Sequence, residues 1–184
     1  MKLVAIGGAP GTGKTTLMKR LMDRHGDNFF REDVPLVPFH YYPFVYQQQP
    51  LYVLGRYEEG GYAQGTDRMS MAVQPKAIEF LDKLDKRSLV LFEGDRLFNA
   101  SFLENCVNKY DTLIIHLKTS AELREQRYAD RGSNQDPTWL KGRLSKIDNI
   151  LSNMVLMFNV EHFDHNTQAD TEAVVQRITK FMES

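Results

Sequence analysis

The sequence is poor in the features that would tie it to an oxidising compartment, a membrane or a polyanion. It has one cysteine, Cys106, which excludes an internal disulfide, and no Cys/His cluster has zinc spacing. No apolar run approaches the ~18 residues that span a bilayer. The opening residues MKLVAIGGAPG hold one lysine and a short apolar run that stops at a glycine loop. They lack the longer apolar stretch and small-residue cleavage site of a secretory signal. Together these absences lead us to expect a cytoplasmic protein. The net charge is −1, so no overall positive field draws nucleic acid, and a DNA or RNA ligand would need a local patch. Repeats, low-complexity tracts and linker-like stretches are also missing. A chain of 184 residues with 42% hydrophobic content fits one domain with a proper core.

What is present begins with a phosphate-binding signature. Lys2 to Ile6 read as a buried strand. The stretch Gly8-Ala9-Pro10-Gly11-Thr12-Gly13-Lys14-Thr15 then matches G-x-x-x-x-G-K-[ST] at every fixed position, and Thr16 follows. Its glycines let the backbone curl until successive N–H groups face one phosphate. A helix starting near Lys14 adds the positive end of its dipole. Lys14 can reach the β- and γ-phosphates, and the Thr15 hydroxyl can ligate Mg²⁺. Leu17, Leu21 and Met22 recur at helical spacing and would pack that helix on a sheet. A glycine turn can match by chance, but a strand before it and an apolar-faced helix after it are the confirming context.

The rest of the chain alternates strands with helices. Val34 to His40 is a candidate second strand, weakened by its prolines. Residues 71 to 86 read as a helix that Pro75 kinks or restarts. Ser88 to Phe92 is a strong buried strand ending in Glu93-Gly94-Asp95-Arg96. Thr112 to Leu117 and Asn159 to Phe163 are further strands. Helices are expected over Ala121 to Asp130, within Trp139 to Phe158, and over Asp170 to Met182. This alternation predicts a three-layer α/β fold with a mostly parallel five-stranded sheet and helices on both faces. Ligands in such sheets sit at the carboxyl ends of the strands. Attention therefore falls on Gly8 to Thr16, on Glu93 to Arg96 and on the residues after Phe163.

Several side chains there could do chemistry. Glu93 directly follows a strand and is the candidate for the metal shell beside Thr15. Asp95 and Asp67 are alternative partners for an acceptor hydroxyl, and the sequence does not choose between them. Either can also be read as a helix cap. Arg124 and Arg127 share one helix face, and Arg131 follows one turn later. Such a set can neutralise charge on a moving phosphoryl group, or can pair with Glu122, Glu125 and Asp130 on a solvated face. Residues 39 to 62 contain eight aromatic residues, six of them tyrosines. They read either as a cover over the sheet edge or as an acceptor pocket, with Tyr42, Tyr57 and Tyr62 as walls. Arg96 is a candidate for holding the acceptor, Arg68 for holding a phosphate of the acceptor or of the ATP unless it is a surface residue, and Ser70 reads as a local cap.

With the phosphate loop, the FEGDR turn, the R-x-x-R-x-x-x-R series and the end FDHNTQADTEAVVQRI in view, the chain resembles the nucleoside and nucleotide kinase branch of P-loop proteins. The resemblance implies ATP and Mg²⁺ as cofactors and Gly8 to Thr16 as the ATP loop. It also implies Arg127 and Arg131 as lid arginines, and Asn166 and Thr167 beside the adenine. Residues 39–70 then serve as an acceptor-binding insertion and 121–145 as a lid-like region within a single domain over 1–184. Within the branch, GRYEEGGYAQGTDRMSMAVQPKAIEFL looks most like the bacteriophage kinases of 5-hydroxymethyluracil in DNA. That likeness implies a DNA partner, transfer to the hydroxymethyl oxygen and, for a phage protein, the host cytoplasm. Lys83, Lys86, Arg87, Lys141, Arg143 and Lys146 could contact a DNA backbone or lie on solvated helix faces. A kinase of a free nucleoside, nucleotide or small metabolite is the alternative. So is a slow NTP-hydrolysing switch, though no sequence resembling a guanine-specificity motif is evident.

Overall fold

The computed structural model describes residues 1–32, 34, 36–58, 64–130, 132 and 136–184. At its centre is β1 (Lys2–Gly8), buried from its second residue onward. A strand covered on both faces must be apolar throughout, and LVAIGG is. Successive side chains leave a strand on opposite sides. Leu3 and Ala5 accordingly enter one core layer with Val90, Phe92 and Ile114. Val4 and Ile6 enter the other with Leu91, Ile115 and Leu117.

β5 (Leu89–Glu93) and β6 (Asp111–Lys118) flank β1 in parallel. β4 (Leu51–Leu54) and β7 (Val160–Asp164) extend that parallel set outward. β3 (Phe39–Tyr42) and β2 (Phe29–Arg31) continue it antiparallel. Among the described residues the sheet thus has seven strands, in the order β2-β3-β4-β5-β1-β6-β7, and not the five expected. The parallel part does have five strands, but one of them is β4, which lies inside the aromatic segment. The expected strand over 34–40 overlaps only the start of β3, because the proline-rich stretch before Phe39 cannot supply ladder N–H groups.

α2 (Val73–Lys83), α3 (Ala100–Lys109) and α5 (Pro137–Leu151) cover the first core layer. α1 (Lys14–Met22) and α6 (Gln168–Glu183) cover the second. Pro75 neither kinks nor restarts α2. It sits third in the helix, where a first-turn N–H has no intrahelical partner to lose. α3 is not among the helices the sequence predicts. Asn99 caps it by accepting from Phe102 N, and it buries Phe102, Leu103 and Cys106. α4 (Ala121–Asp130) buries no side chain in the core and lies over the glycine loop. Parallel strands bring their carboxyl ends to one edge, so the loops after β1, β5, β6 and β7 meet there.

Candidate active site

The loop after β1 forms a cradle because its glycines allow what other residues do not. Gly13 has φ +88°, and a Cβ there would strike the His165 ring at 2.7 Å. Helix α1 has no side-chain cap and no acid in its first turn, so its leading N–H groups and positive dipole end are left for an anion. The Lys14 ammonium reaches back over the loop and donates to Gly8 O at 3.0 Å and Ala9 O at 3.2 Å. Amides and a cation converge on one concavity, which suits a polyphosphate.

Three carboxylates stand beside the cradle. Glu93 ends β5 with 2% exposure, and its Oε1 accepts from Thr15 Oγ1 at 3.1 Å. Burial pushes the Glu93 carboxyl up to about 7, with Lys14 opposing and Asp67 and Asp95 reinforcing the shift. Asp67 lies in the short 3-10 turn Thr66–Arg68, and its Oδ1 accepts from Asp95 N at 2.6 Å. Burial also raises Asp67, helped by the negative charge of Asp95. Asp95 is held differently: its Oδ2 pairs with Arg143 Nη1 at 2.6 Å. Among the described residues no three His, Cys, Asp or Glu side chains form a complete metal site. A Thr hydroxyl and one carboxylate nonetheless fit Mg²⁺, a hard ion that keeps waters and shares phosphate oxygens. The neighbouring carboxylates, which make Glu93 costly to ionise, are also relieved by a cation.

On the other flank α4 closes against the loop. Arg127 Nη1 donates to Gly11 O at 2.7 Å, and Tyr128 Oη donates to Pro10 O at 2.7 Å. His165, 3% exposed, ties three elements together. Its Nδ1 is 2.6 Å from Thr12 O and its Nε2 is 2.9 Å from Thr171 Oγ1. Burial lowers its pKa and favours the neutral ring. Nδ1 then carries the proton toward Thr12 O, and Nε2 accepts from the threonine. Asn166 Oδ1 accepts from Ser120 N at 3.2 Å, and Thr167 caps α6 in a capping box with Asp170. A cavity of about 440 Å³ opens here, lined by Gly13, Thr16, Arg20, Arg127, Asn166 and Thr167 among others. Its size and place beside the cradle suit a nucleoside.

Comparison with known proteins agrees with this geometry. Residues 1–162 match the model of the family described as P-loop Nucleotide Kinase3. The chain belongs to that family. Among solved structures it is similar to a gluconokinase from Sinorhizobium meliloti 1021, with 12% identity, TM-score 0.51, and 97% of this chain and 94% of that one covered. It is also similar to a sugar kinase from Janibacter sp. HTCC2649, with 13% identity, TM-score 0.50, and coverage of 99% and 94%. At such identities these two likenesses speak for the α/β kinase fold. No curated protein matches the sequence. The protein is thus a P-loop kinase, of a family that generally uses ATP and Mg²⁺, and no described helix is long and apolar enough to cross a membrane.

In this kinase the predicted site residues divide into groups. Gly8 to Thr16, Glu93, Asp67, Asp95 and Arg127 come together around the cradle. Arg96 is half-buried, and its Nε donates to Met69 O at 3.3 Å. Arg68 pairs with Glu58 at 2.7 Å on the surface. Tyr57 lies with its hydroxyl buried near Glu93, and burial raises its pKa well above the usual value. Tyr42 does not wall a pocket. It is 1% exposed, its ring is edge-on to His25 at 5.8 Å, and it packs in the layer beneath α1 and α6. Tyr62 and Arg131 lie outside the described residues.

β3 and β4 run through the aromatic segment, where Phe39 and Tyr42 are buried and Tyr41 and Tyr52 half-buried. Two residues of α5 stand beside the acidic cluster in a way the sequence reading does not foresee. Arg143, grouped above with surface cations, is paired to Asp95, and its guanidinium stacks on the Trp139 ring at 5.0 Å. Their spacing of four on one helix, downstream of an Asp-Pro start, was the available signal.

Proposed function

We propose that the protein transfers the γ-phosphoryl group of ATP to an alcohol, and that the alcohol is the hydroxymethyl group of 5-hydroxymethyluracil in DNA. The observation that carries the transfer chemistry is the Asp67–Asp95 pair standing beside Lys14, Thr15 and Glu93. Asp95 is occupied by Arg143, whereas Asp67 Oδ2 has no hydrogen bond among the described residues. Asp67 is therefore the base. It accepts the hydroxyl proton as the acceptor oxygen bonds to the γ-phosphorus, and the bond to the β-phosphate oxygen breaks to release ADP. Its raised pKa makes it a stronger base than an exposed aspartate. Lys14 and the loop amides neutralise the charge that develops on the phosphates, and Arg127 contributes from the lid. Thr15 and Glu93 would hold Mg²⁺, which when bound draws charge from the β- and γ-phosphate oxygens.

The DNA acceptor rests on the resemblance of residues 55–81 and on the open carboxyl edge, where a base extruded from a duplex or taken from a single strand can enter. A free nucleoside or small metabolite is the second reading, and one observation favours it. Lys83, Lys86 and Arg87 precede β5, at the end of the sheet opposite Glu93, so they cannot grip a strand presented to Asp67. The test incubates the protein with γ-labelled ATP and hydroxymethyluracil DNA, plain DNA or free nucleosides. Label on the modified DNA alone supports the proposal. Label on a free nucleoside selects the second reading, and phosphate release with no labelled acceptor overturns both.

A further inference from the structure

We infer that Trp139 is the stacking platform for the acceptor, and that it makes this kinase selective for a planar nucleobase over a sugar or polyol. The inference rests on the phosphoryl-transfer site above but does not follow from it. α5 begins with Asp136, whose side chain accepts from Trp139 N at 2.8 Å, and with Pro137, whose fixed φ suits a first helical position. This start fixes Trp139 in the first turn. Arg143, one turn on, lies on the same face, with its guanidinium carbon 5.0 Å from the indole centre. The same guanidinium binds Asp95 at 2.6 Å, and both of those side chains are largely buried, at 17% and 19% exposure. The indole centre therefore lies within about 9 Å of the Asp95 carboxylate, allowing one C–N bond between the two measured contacts.

Trp139 is nevertheless 42% exposed. A large ring left open, backed on one face by a clamped cation, is arranged to receive a second flat group on its other face. A pyrimidine stacked there can direct a 5-hydroxymethyl substituent toward Asp67. A polyol offers only C–H groups to a ring face and gains less there than a flat base, which lays its whole π-face on the indole. Arg143 gives the platform its orientation by locking the indole to Asp95, whose backbone N–H in turn holds Asp67. Stacking platform, positioning cation and base thus form one chain of contacts.

The chain has a single tryptophan, so its fluorescence reports this position alone. The experiment titrates the wild-type protein, with magnesium and a non-hydrolysable ATP analogue present throughout, with three probes. These are an oligonucleotide bearing 5-hydroxymethyluracil, free 5-hydroxymethyldeoxyuridine, and gluconate. Saturable quenching by either base-containing probe and none by gluconate is expected, and the first two arms distinguish polymer from nucleoside. In steady-state assays Trp139→Ala should raise KM for the base acceptor about tenfold, Trp139→Phe should recover most of that loss, and KM for ATP should not move. The inference is overturned if base-containing acceptors are phosphorylated while the fluorescence stays flat and Trp139→Ala keeps the parent KM. In that event the transfer proposal survives. Quenching by gluconate alone, with gluconate as the phosphorylated acceptor, overturns the inference and the DNA acceptor together.

Discussion

At the scale of single residues, the site is a contest between burial and charge. Glu93 is the clearest case, because its folded value of about 7 stands above the ordinary 4.5. Between those values the folded protein binds a proton that the unfolded chain releases. Stability from this group is therefore present at low pH and is lost as pH rises through about 7. Replacing Glu93 with Gln removes the loss. At pH 8, without nucleotide, that variant should unfold at higher denaturant, by up to about 3 kcal/mol, while losing magnesium-dependent transfer. Equal unfolding midpoints for the two proteins at pH 8 would refute the assignment. Lys14→Ala should lower kcat/KM about a thousandfold with an unchanged circular dichroism spectrum. Asp67→Asn should cost roughly 10²–10⁴ in kcat, and near-parent turnover in that variant would transfer the role of base to Asp95.

At the scale of elements, the turns matter more than the helices they join. The turn after β5 carries Gly94 at φ +110°, and an added Cβ would meet Thr66 Oγ1 at 2.7 Å and Asp67 N at 3.0 Å. Gly94→Ala should therefore push the Asp67 turn away from Asp95. It should lower both the melting temperature and kcat, by about 1–3 kcal/mol of stability. A thermal melt and a rate assay on the same preparation read both effects. These turns also mark how far the sequence could be read. The glycine loop was legible because its spacing is itself the mechanism, and Glu93 was legible because it directly follows a strongly apolar run. β4 was not, since four residues flanked by Pro50 and Gly55 and surrounded by tyrosines carry little periodicity. α3 is hard to read because it is short, and only the Asn99 cap and the spacing of Phe102, Leu103 and Cys106 mark it. The pairing of Arg143 with Asp95 joins residues on separate elements and has no local signature.

At the scale of the whole molecule, the carboxyl ends of the parallel strands gather the glycine loop, Glu93 and Asp95, and the opposite end carries none of them. Reversing charge at Lys86 and Arg87 should leave acceptor KM and its salt dependence unaltered, because these residues precede β5 at the far edge. A shallower salt slope in the double variant would count against that placement. The alternation of strands and helices was enough to foresee a parallel sheet covered on both faces. It could not supply the strand count, because β2 is a short exposed edge formed only by pairing with β3. One bond also reaches across nearly the entire chain: His165 braces the Thr12 carbonyl from 153 positions downstream and is itself held by α6. Both lie beyond residue 162, where the family match stops. Chimaeras that graft a foreign tail onto this kinase should accordingly be judged by their grip on ATP, since a swap that keeps the protein soluble can still slacken the front of the molecule from behind.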